Sequence, residues 1–512
     1  MQTELPQSSL PAGMLSTADA TPGAVQGRRV LLAALNARYT HTNLALLYMR
    51  NSIEAADAGH DVQLCECVVT DRRTDILEHI TGVGEGPKLA GDGEAWAPEV
   101  LVLSAYIWNS NLIRQLLPDV RALLPEVVIV IGGPEVSYNA QWWLDEFPEI
   151  EVLISGAGEA AMQQLAASSF ALPEGRRLLH LPNPPFAEIP FPYTPADLAR
   201  LSRRYIYYES SRGCPCSCSY CISGRADQRA EFRPADQVKQ ELALILMHEK
   251  SYEAPPIIKF VDRTFNARPE RAREIWACII ALTTGAMFHC EVHPAFLQEA
   301  DFEVLAQAPP GRLQFEIGVQ SVVERTLQVI GRTPGLALAS APGAKAWERM
   351  RDMVARVLAL GSIEVHLDMI VGLPGEDLQQ VARTFNEVLS LRPHRFDIGF
   401  LKSLPGTRIQ EEAQSNRQVH MREAPYQVLS NAWLAPADFA LLRKVEQLVE
   451  SVWNMNQLED ELQQGEQRYG TLFAFFTALT RHAQQTNYDI RTRRRDKVEA
   501  FVSACLSSDP GP

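Results

Sequence analysis

Four of the chain's nine cysteines fall within eight residues, in the run Glu209-Ser-Ser-Arg-Gly-Cys-Pro-Cys-Ser-Cys-Ser-Tyr-Cys221. A disulfide framework would spread its cysteines along a short secreted chain, so this crowding points to metal chemistry. Cys214, Cys218 and Cys221 keep the spacing C-x3-C-x2-C in a loop that directly follows a strand pattern. Three such thiolates hold three irons of a 4Fe–4S cube and leave the fourth iron open for a ligand. Cys218 and Cys221 alone would also suit a structural zinc ion, which wants a fourth ligand at similar spacing. Cys216 falls outside the register and reads as a bystander thiol, and Cys65 and Cys67, alternating along an earlier strand pattern, read as packing residues.

The chain that must position these thiols has 512 residues, enough for about three domains of roughly 100–200 residues each. Hydrophobic residues make up 46% and charged residues 21%, a globular composition. The net charge of −14 is the wrong sign for coating a nucleic-acid backbone by bulk attraction. No run reaches the roughly 18–20 apolar residues of a membrane helix, and residues 1–25 lack a basic start and an apolar stretch, so we expect a cytoplasmic protein with no membrane partner. Residues 1–27 read as a disordered tail, and the Gly-rich stretch 82–98 as a loop. Buried-strand and helical patterns alternate over 28–181, which predicts a Rossmann-like α/β domain with a doubly wound parallel sheet. Residues 182–199, rich in proline, read as a linker. A second series of six βα units over 200–408 fits a partial (β/α)6 barrel, and 409–512 read as a mainly helical domain.

On the cysteine triad and Tyr220 beside it, the middle domain resembles the radical S-adenosylmethionine (SAM) superfamily. That resemblance implies a 4Fe–4S cluster on Cys214, Cys218 and Cys221 whose open iron binds the amino and carboxylate groups of SAM. It also implies SAM contacts at successive strand ends, where barrel-type folds gather their sites. Lys259-Phe-Val-Asp-Arg-Thr-Phe-Asn266 stands where an amino-group-binding motif is expected; the usual Gly-Gly-Glu is absent, which leaves Asp262 as the ammonium partner. Glu316 or Gln320 of Phe315-Glu-Ile-Gly-Val-Gln-Ser321, with Glu291 as a competitor, stands for the ribose hydroxyls. Val371 and Gly372 of Asp368-Met-Ile-Val-Gly-Leu-Pro-Gly-Glu376 stand for the backbone along the adenine. Each carboxylate also has a plain reading as a strand-end salt bridge. His289, His293 and His366 are either substrate contacts or satisfied core histidines, and Lys402 lies near SAM or in a structured turn. The cluster Leu472–Leu479 is helix core or a roof over the site.

The preceding domain resembles the cobalamin-binding domain found before such barrels, on three loops: Ser104-Ala-Tyr-Ile-Trp-Asn109, Gly132-Gly-Pro-Glu135 and Ser155-Gly-Ala-Gly-Glu159. The resemblance assigns Ser104, Gly132, Gly133, Gly156, Gly158 and Glu159 to cobalamin, and ligands favour the carboxyl ends of parallel strands. Many such domains carry D-x-H-x-x-G after the first strand, the histidine binding cobalt from below; here the run is Asn36-Ala-Arg-Tyr-Thr-His41. Arg38 takes the histidine's place and has no lone pair for a metal, so the lower axial site is expected to be empty or to hold water, with Arg38 or Tyr39 facing it. His41 is the alternative ligand.

Together the loops and the triad resemble the cobalamin (B12)-binding domain-containing radical SAM family. The resemblance implies a methyltransferase acting at an unactivated carbon: one SAM methylates Co(I), a second yields a 5′-deoxyadenosyl radical, and the substrate radical takes the methyl from methylcobalamin. It further implies a small-molecule or peptide substrate and an electron donor such as flavodoxin or ferredoxin. Catalytic proton donors or acceptors are not legible. Cyclisation, ring contraction or rearrangement with the same cofactors is the alternative, and a cobalamin-binding sensor without turnover is the alternative of another class.

Overall fold

The computed structural model describes residues 27–82, 96–171, 176–225, 230–332 and 346–508. The expected tail, apart from Gly27, and most of the expected loop at 82–98 lie outside the described residues. The N-terminal domain is built on strands β1 (Arg29–Asn36), β2 (Asp61–Val68), β3 (Val100–Ser104), β4 (Val128–Gly132), β5 (Val152–Ile154) and β6 (Leu178–Leu179). All pair in parallel, in the order β2-β1-β3-β4-β5-β6. β1 is apolar at nearly every position because both of its faces are covered: Leu31, Ala33 and Leu35 enter one core, Val30, Leu32 and Ala34 the other. The strand order reverses between β1 and β3, so the loops after these two strands flank the crevice where open α/β sheets take ligands.

The second domain opens with β7 (Ile206–Tyr208) and a short antiparallel pair, β8 (Ser211–Arg212) with β9 (Glu231–Phe232). β10 (Ile257–Phe260), β11 (Met287–Glu291), β12 (Leu313–Gln320), β13 (Glu364–Val371) and β14 (Arg395–Phe400) follow. The six long strands run parallel in the order β14-β13-β12-β11-β10-β7, an open sheet whose end strands β7 and β14 do not pair. On β13, Val365, Leu367, Met369 and Val371 are buried in the core, and the alternate residues Glu364, His366 and Asp368 are half-buried on the opposite face. The concave face of the partial barrel is therefore polar.

Beyond β14 the sequence pattern predicts a mainly helical domain over 409–512. The chain first forms a small antiparallel pair, β15 (Val419–His420) with β16 (Val428–Ser430), before the helices Pro436–Val449, Glu459–Tyr469, Leu472–Thr486 and Arg495–Ser507. Phe473 and Phe476 meet Phe385 of the last barrel helix at 5.5 and 5.4 Å between ring centres. Of the two readings of Leu472–Leu479, the structure takes the helix core. Among the described residues no helix is long and apolar enough to cross a membrane.

Candidate active site

The cysteine loop leaves β8 and is fixed by its backbone. Ser219 N–H donates to the Ile330 carbonyl at 2.8 Å, and the Ser219 carbonyl accepts from Ile409 N–H at 3.0 Å. Gly224 passes close beneath: a Cβ there would lie 2.7 Å from the Cys216 carbonyl oxygen. The thiol of Cys214 lies 3.4 Å from Thr264 Oγ1 and accepts the Cys216 N–H at 3.5 Å. Hydrogen bonding from Cys216, followed by that from Thr264, pulls Cys214 down to about 6, whereas Cys216, as the donor to Cys214, is pushed up. Cys218 lies 4.0 Å from Arg332 Nη1, and burial raises Cys221 and its neighbour Tyr220. Soft thiolates on a clamped loop fit an iron–sulfur cluster.

Beside the loop, at the carboxyl ends of β11 to β13, lies a cavity walled by Arg263, Thr264, Glu291, His293, Glu316, Gln320, Arg332 and Asp368. Three of the residues expected to meet SAM, Glu291, Glu316 and Gln320, come together here. Burial lifts Glu291 to about 7 although Arg263 stands 3.6 Å away, and burial also lifts Asp368, with Glu316 adding to it. Glu316 is held low, first by its 2.9 Å hydrogen bond with His289 Nε2. His366 pairs with Glu364 at 2.7 Å, so it and His289 have protein partners. Gln320 ends β12 at φ +68°, in the left-handed region, beyond a register shift at Gly318. Val371 is buried, and Gly372 has φ +97° with Phe439 3.0 Å from where its Cβ would be. Lys402 is exposed on an isolated bridge to Gln427.

Asp262 departs from its expected role as the ammonium partner. It is fully buried, and its carboxylate accepts from Ser210 N–H at 2.8 Å, Ser210 Oγ at 2.5 Å and Ser211 Oγ at 2.7 Å. It holds the segment that leads into the cysteine loop and does not line the cavity. Sequence reasoning assigned no role to Arg332 and left that of His293 open; their signal, one basic residue after the helix Glu324–Val329 and one histidine after β11, is not specific.

In the N-terminal domain, Ser104, Gly132 and Gly133 lie side by side at the strand ends, Ser104 in register with Gly132. Gly133 has φ +114°, and a Cβ there would lie 2.4 Å from the Ala105 carbonyl oxygen, so the adjoining loops pack only around glycine. Arg38 and Tyr39 are exposed in the loop after β1, Tyr39 to 68%. Trp108, 47% exposed, stacks on Tyr106 at 4.4 Å and donates from Nε1 to the Leu35 carbonyl at 3.2 Å. An open aromatic surface beside the crevice fits a flat macrocycle. Gly156 and Gly158 lie against His180 and Met49. Glu159 corrects its assignment to cobalamin. Its carboxylate is committed to Arg212 at 2.8 Å and to Asn183 Nδ2 at 2.5 Å, and although burial opposes ionisation, Arg212 holds it below the usual range. His41 shares a 2.6 Å hydrogen bond with Tyr207 of β7.

Family models match three stretches: a B12 binding domain over residues 30–166, the radical SAM superfamily over 208–388, and a protein of unknown function (DUF4080) over 417–503. The chain thus carries a B12-binding domain followed by a radical SAM domain, a pairing whose cofactors are a 4Fe–4S cluster, SAM and cobalamin. Over 158 residues it is 29% identical to the cobalamin-dependent radical SAM methyltransferase TokK of Streptomyces tokunonensis, covering 25% of this chain and 22% of that one. An uncharacterized methyltransferase of Pyrococcus horikoshii, PH0819, is 26% identical over 317 residues, 57% of this chain and 64% of the relative. The chain thus spans less than a quarter of TokK and under two thirds of PH0819. In fold it is similar to the cobalamin-dependent SAM radical enzyme OxsB, with a TM-score of 0.64 at 12% identity over 94% of this chain and 79% of that one.

Proposed function

We propose that the chain transfers a methyl group to an unactivated carbon of a small-molecule or peptide substrate. The observation that carries this is the joining of two carboxyl-end edges: Arg212, two residues before Cys214, binds Glu159 of the B12-binding domain, and Tyr207 of β7 binds His41 of the loop after β1. A group held at one edge then faces a group held at the other. The relatives named as methyltransferases support the same reading. When bound, the cluster with SAM supplies an adenosyl radical and cobalamin supplies a transferable methyl group. Cys214, Cys218 and Cys221 hold the cluster, and Glu291, Glu316 and Gln320 accept or donate hydrogen bonds at the ribose. Arg38, exposed in the loop after β1, would stand beside cobalamin without coordinating it, since a guanidinium has no lone pair for a metal. The walls of the cavity exclude water from the reacting carbon.

The test incubates reduced, reconstituted protein with SAM and fractionated small-molecule and peptide extracts. Methyl transfer of this kind releases 5′-deoxyadenosine and S-adenosylhomocysteine in about equal amounts and places the SAM methyl on a product. 5′-Deoxyadenosine without S-adenosylhomocysteine in an active fraction would favour a cyclisation or rearrangement. Reduced protein that consumes no SAM would favour a sensor.

A further inference from the structure

Three polar atoms around the barrel cavity are buried and have no hydrogen-bond partner: His293 Nε2, Arg332 Nε and Gln320 Oε1. Buried donors are nearly always paired, so two facing one cavity mark the place of an acceptor. His293 is built to present its donor in one direction. Its backbone is clamped on both sides by Asn266, which accepts from His293 N–H at 2.9 Å and donates to the His293 carbonyl at 3.0 Å. Its ring meets Phe296 edge-on and accepts the Ala295 N–H on Nδ1 at 3.2 Å. A nitrogen that accepts a backbone N–H carries no proton, so in the neutral ring the proton sits on Nε2. The ring is only 2% exposed, and burial together with the neighbouring Arg332 charge keeps it neutral. The Arg332 backbone lies close to the ring, but Nε2 makes no hydrogen bond with it.

Arg332 supplies charge at the same place. One of its terminal nitrogens donates to the Gly318 carbonyl and the other lies 4.0 Å from Cys218 Sγ, so the guanidinium stands against the cysteine loop. Arg263, the other cation of the cavity, is engaged 3.6 Å from Glu291. Glu316, which its hydrogen bond with His289 keeps ionised, lines the same cavity and repels an anion, so within it the favourable place for one is beside His293 and Arg332. A neutral N–H donor beside an unsatisfied guanidinium N–H, next to the cluster loop and in a cavity that also holds carboxyl groups, is the complement of a carboxylate on a molecule that elsewhere carries cationic and hydroxyl groups.

We propose that His293 and Arg332 together bind the α-carboxylate of SAM, His293 as a neutral donor whose tautomer the fold fixes and Arg332 as the charge partner. The assignment rests on reading the cavity as the SAM site. Its test is equilibrium binding to anaerobically reconstituted protein, without turnover, of SAM and of decarboxylated SAM, which differ only in the carboxylate. His293→Leu should weaken SAM binding about tenfold, as expected for loss of a hydrogen bond to a charged acceptor, and leave decarboxylated SAM unaffected. His293→Gln, which keeps an N–H donor, should recover most of the affinity, and Arg332→Gln should weaken SAM selectively too. Iron and sulfide counts on each variant establish that the cluster loop has folded. Unchanged SAM binding in His293→Leu, or equal losses for both ligands, overturns the proposal. Wild-type protein that holds its cluster and binds neither ligand overturns the SAM reading of the cavity with it.

Discussion

Arg38 and His41 share the loop after β1, and they differ in what each can offer a metal. The guanidinium has no free lone pair, whereas an imidazole does. In the structure Arg38 is exposed and His41 is committed, its Nδ1 2.6 Å from the Tyr207 hydroxyl. Burial, with the charges of Lys259, Arg38 and Arg204, lowers the His41 pKa, so its ring is neutral and hydrogen-bonded into the barrel rather than free to turn towards a corrin. Arg204 reinforces this by donating from Nε to the Tyr39 carbonyl at 3.0 Å and from Nη2 to the His41 carbonyl at 2.5 Å. Bound Co(II) cobalamin should therefore show no superhyperfine splitting from an axial nitrogen in electron paramagnetic resonance, and His41→Ala should leave that spectrum unchanged. Arg38→His should introduce the splitting. A wild-type spectrum with nitrogen splitting that vanishes in His41→Ala would show that His41 is the ligand.

Among the elements, the end of β12 depends on the loop after β13. Glu376 is fully buried and accepts from the Ser321 hydroxyl, whose oxygen in turn accepts the Val323 N–H at 2.9 Å. This contact fixes the turn that begins at the left-handed Gln320. Burial pushes Glu376 up to about 7, while an unfolded chain returns it to an ordinary value near ~4.3. Between those values the folded chain holds a proton that the unfolded chain has lost, so this group's contribution falls as pH rises from about 4 to about 7, by at most about 4 kcal/mol. Denaturant unfolding of the cofactor-free chain at pH 5, 6, 7 and 8 should show wild type losing stability relative to Glu376→Gln over that span. A constant difference would remove Glu376 from the account. Such links also mark the limit of reading the chain by eye. The parallel strands were legible because β1, β3 and β4 are apolar on both faces, and the cysteine register because its spacing is specific. The jobs of Asp262 and Glu159 were not, since the groups that occupy them, Ser210 and Ser211 in one case and Arg212 in the other, are about fifty residues away in sequence. The helix Arg73–Thr81 has little apolar pattern in the sequence because it buries only Ile76, Ile80 and Thr81.

At the scale of the whole molecule, the B12-binding domain is gripped from two directions. On one side Arg50 binds Asp197 at 2.8 Å, Arg204 binds Glu66 at 2.7 Å and Arg212 binds Glu159 at 2.8 Å. On the other, Asn111 Nδ2 donates to the Ala424 carbonyl at 3.1 Å and Tyr426 donates to Glu135. Arg212 adjoins loops assigned to both cofactors. It also binds Glu209 at 2.9 Å, lies over the rings of Phe186 and Tyr48, and sits two residues before Cys214, while Glu159 opens the helix after the Gly156–Gly158 loop. Replacing it by methionine leaves two carboxylates facing one another, at a cost of about 3 kcal/mol borne by both loops. Arg212→Met should therefore lower retained cobalamin and retained iron together, measured by absorbance and by colorimetric iron after gel filtration. The triple variant Cys214→Ala, Cys218→Ala, Cys221→Ala should lose iron and keep cobalamin, because no cysteine of the loop lies at the strand ends of the first sheet. If Arg212→Met lost one cofactor and kept the other at the wild-type level, the clamp would serve a single domain, and the two edges would owe their apposition to the contacts around Tyr426 instead.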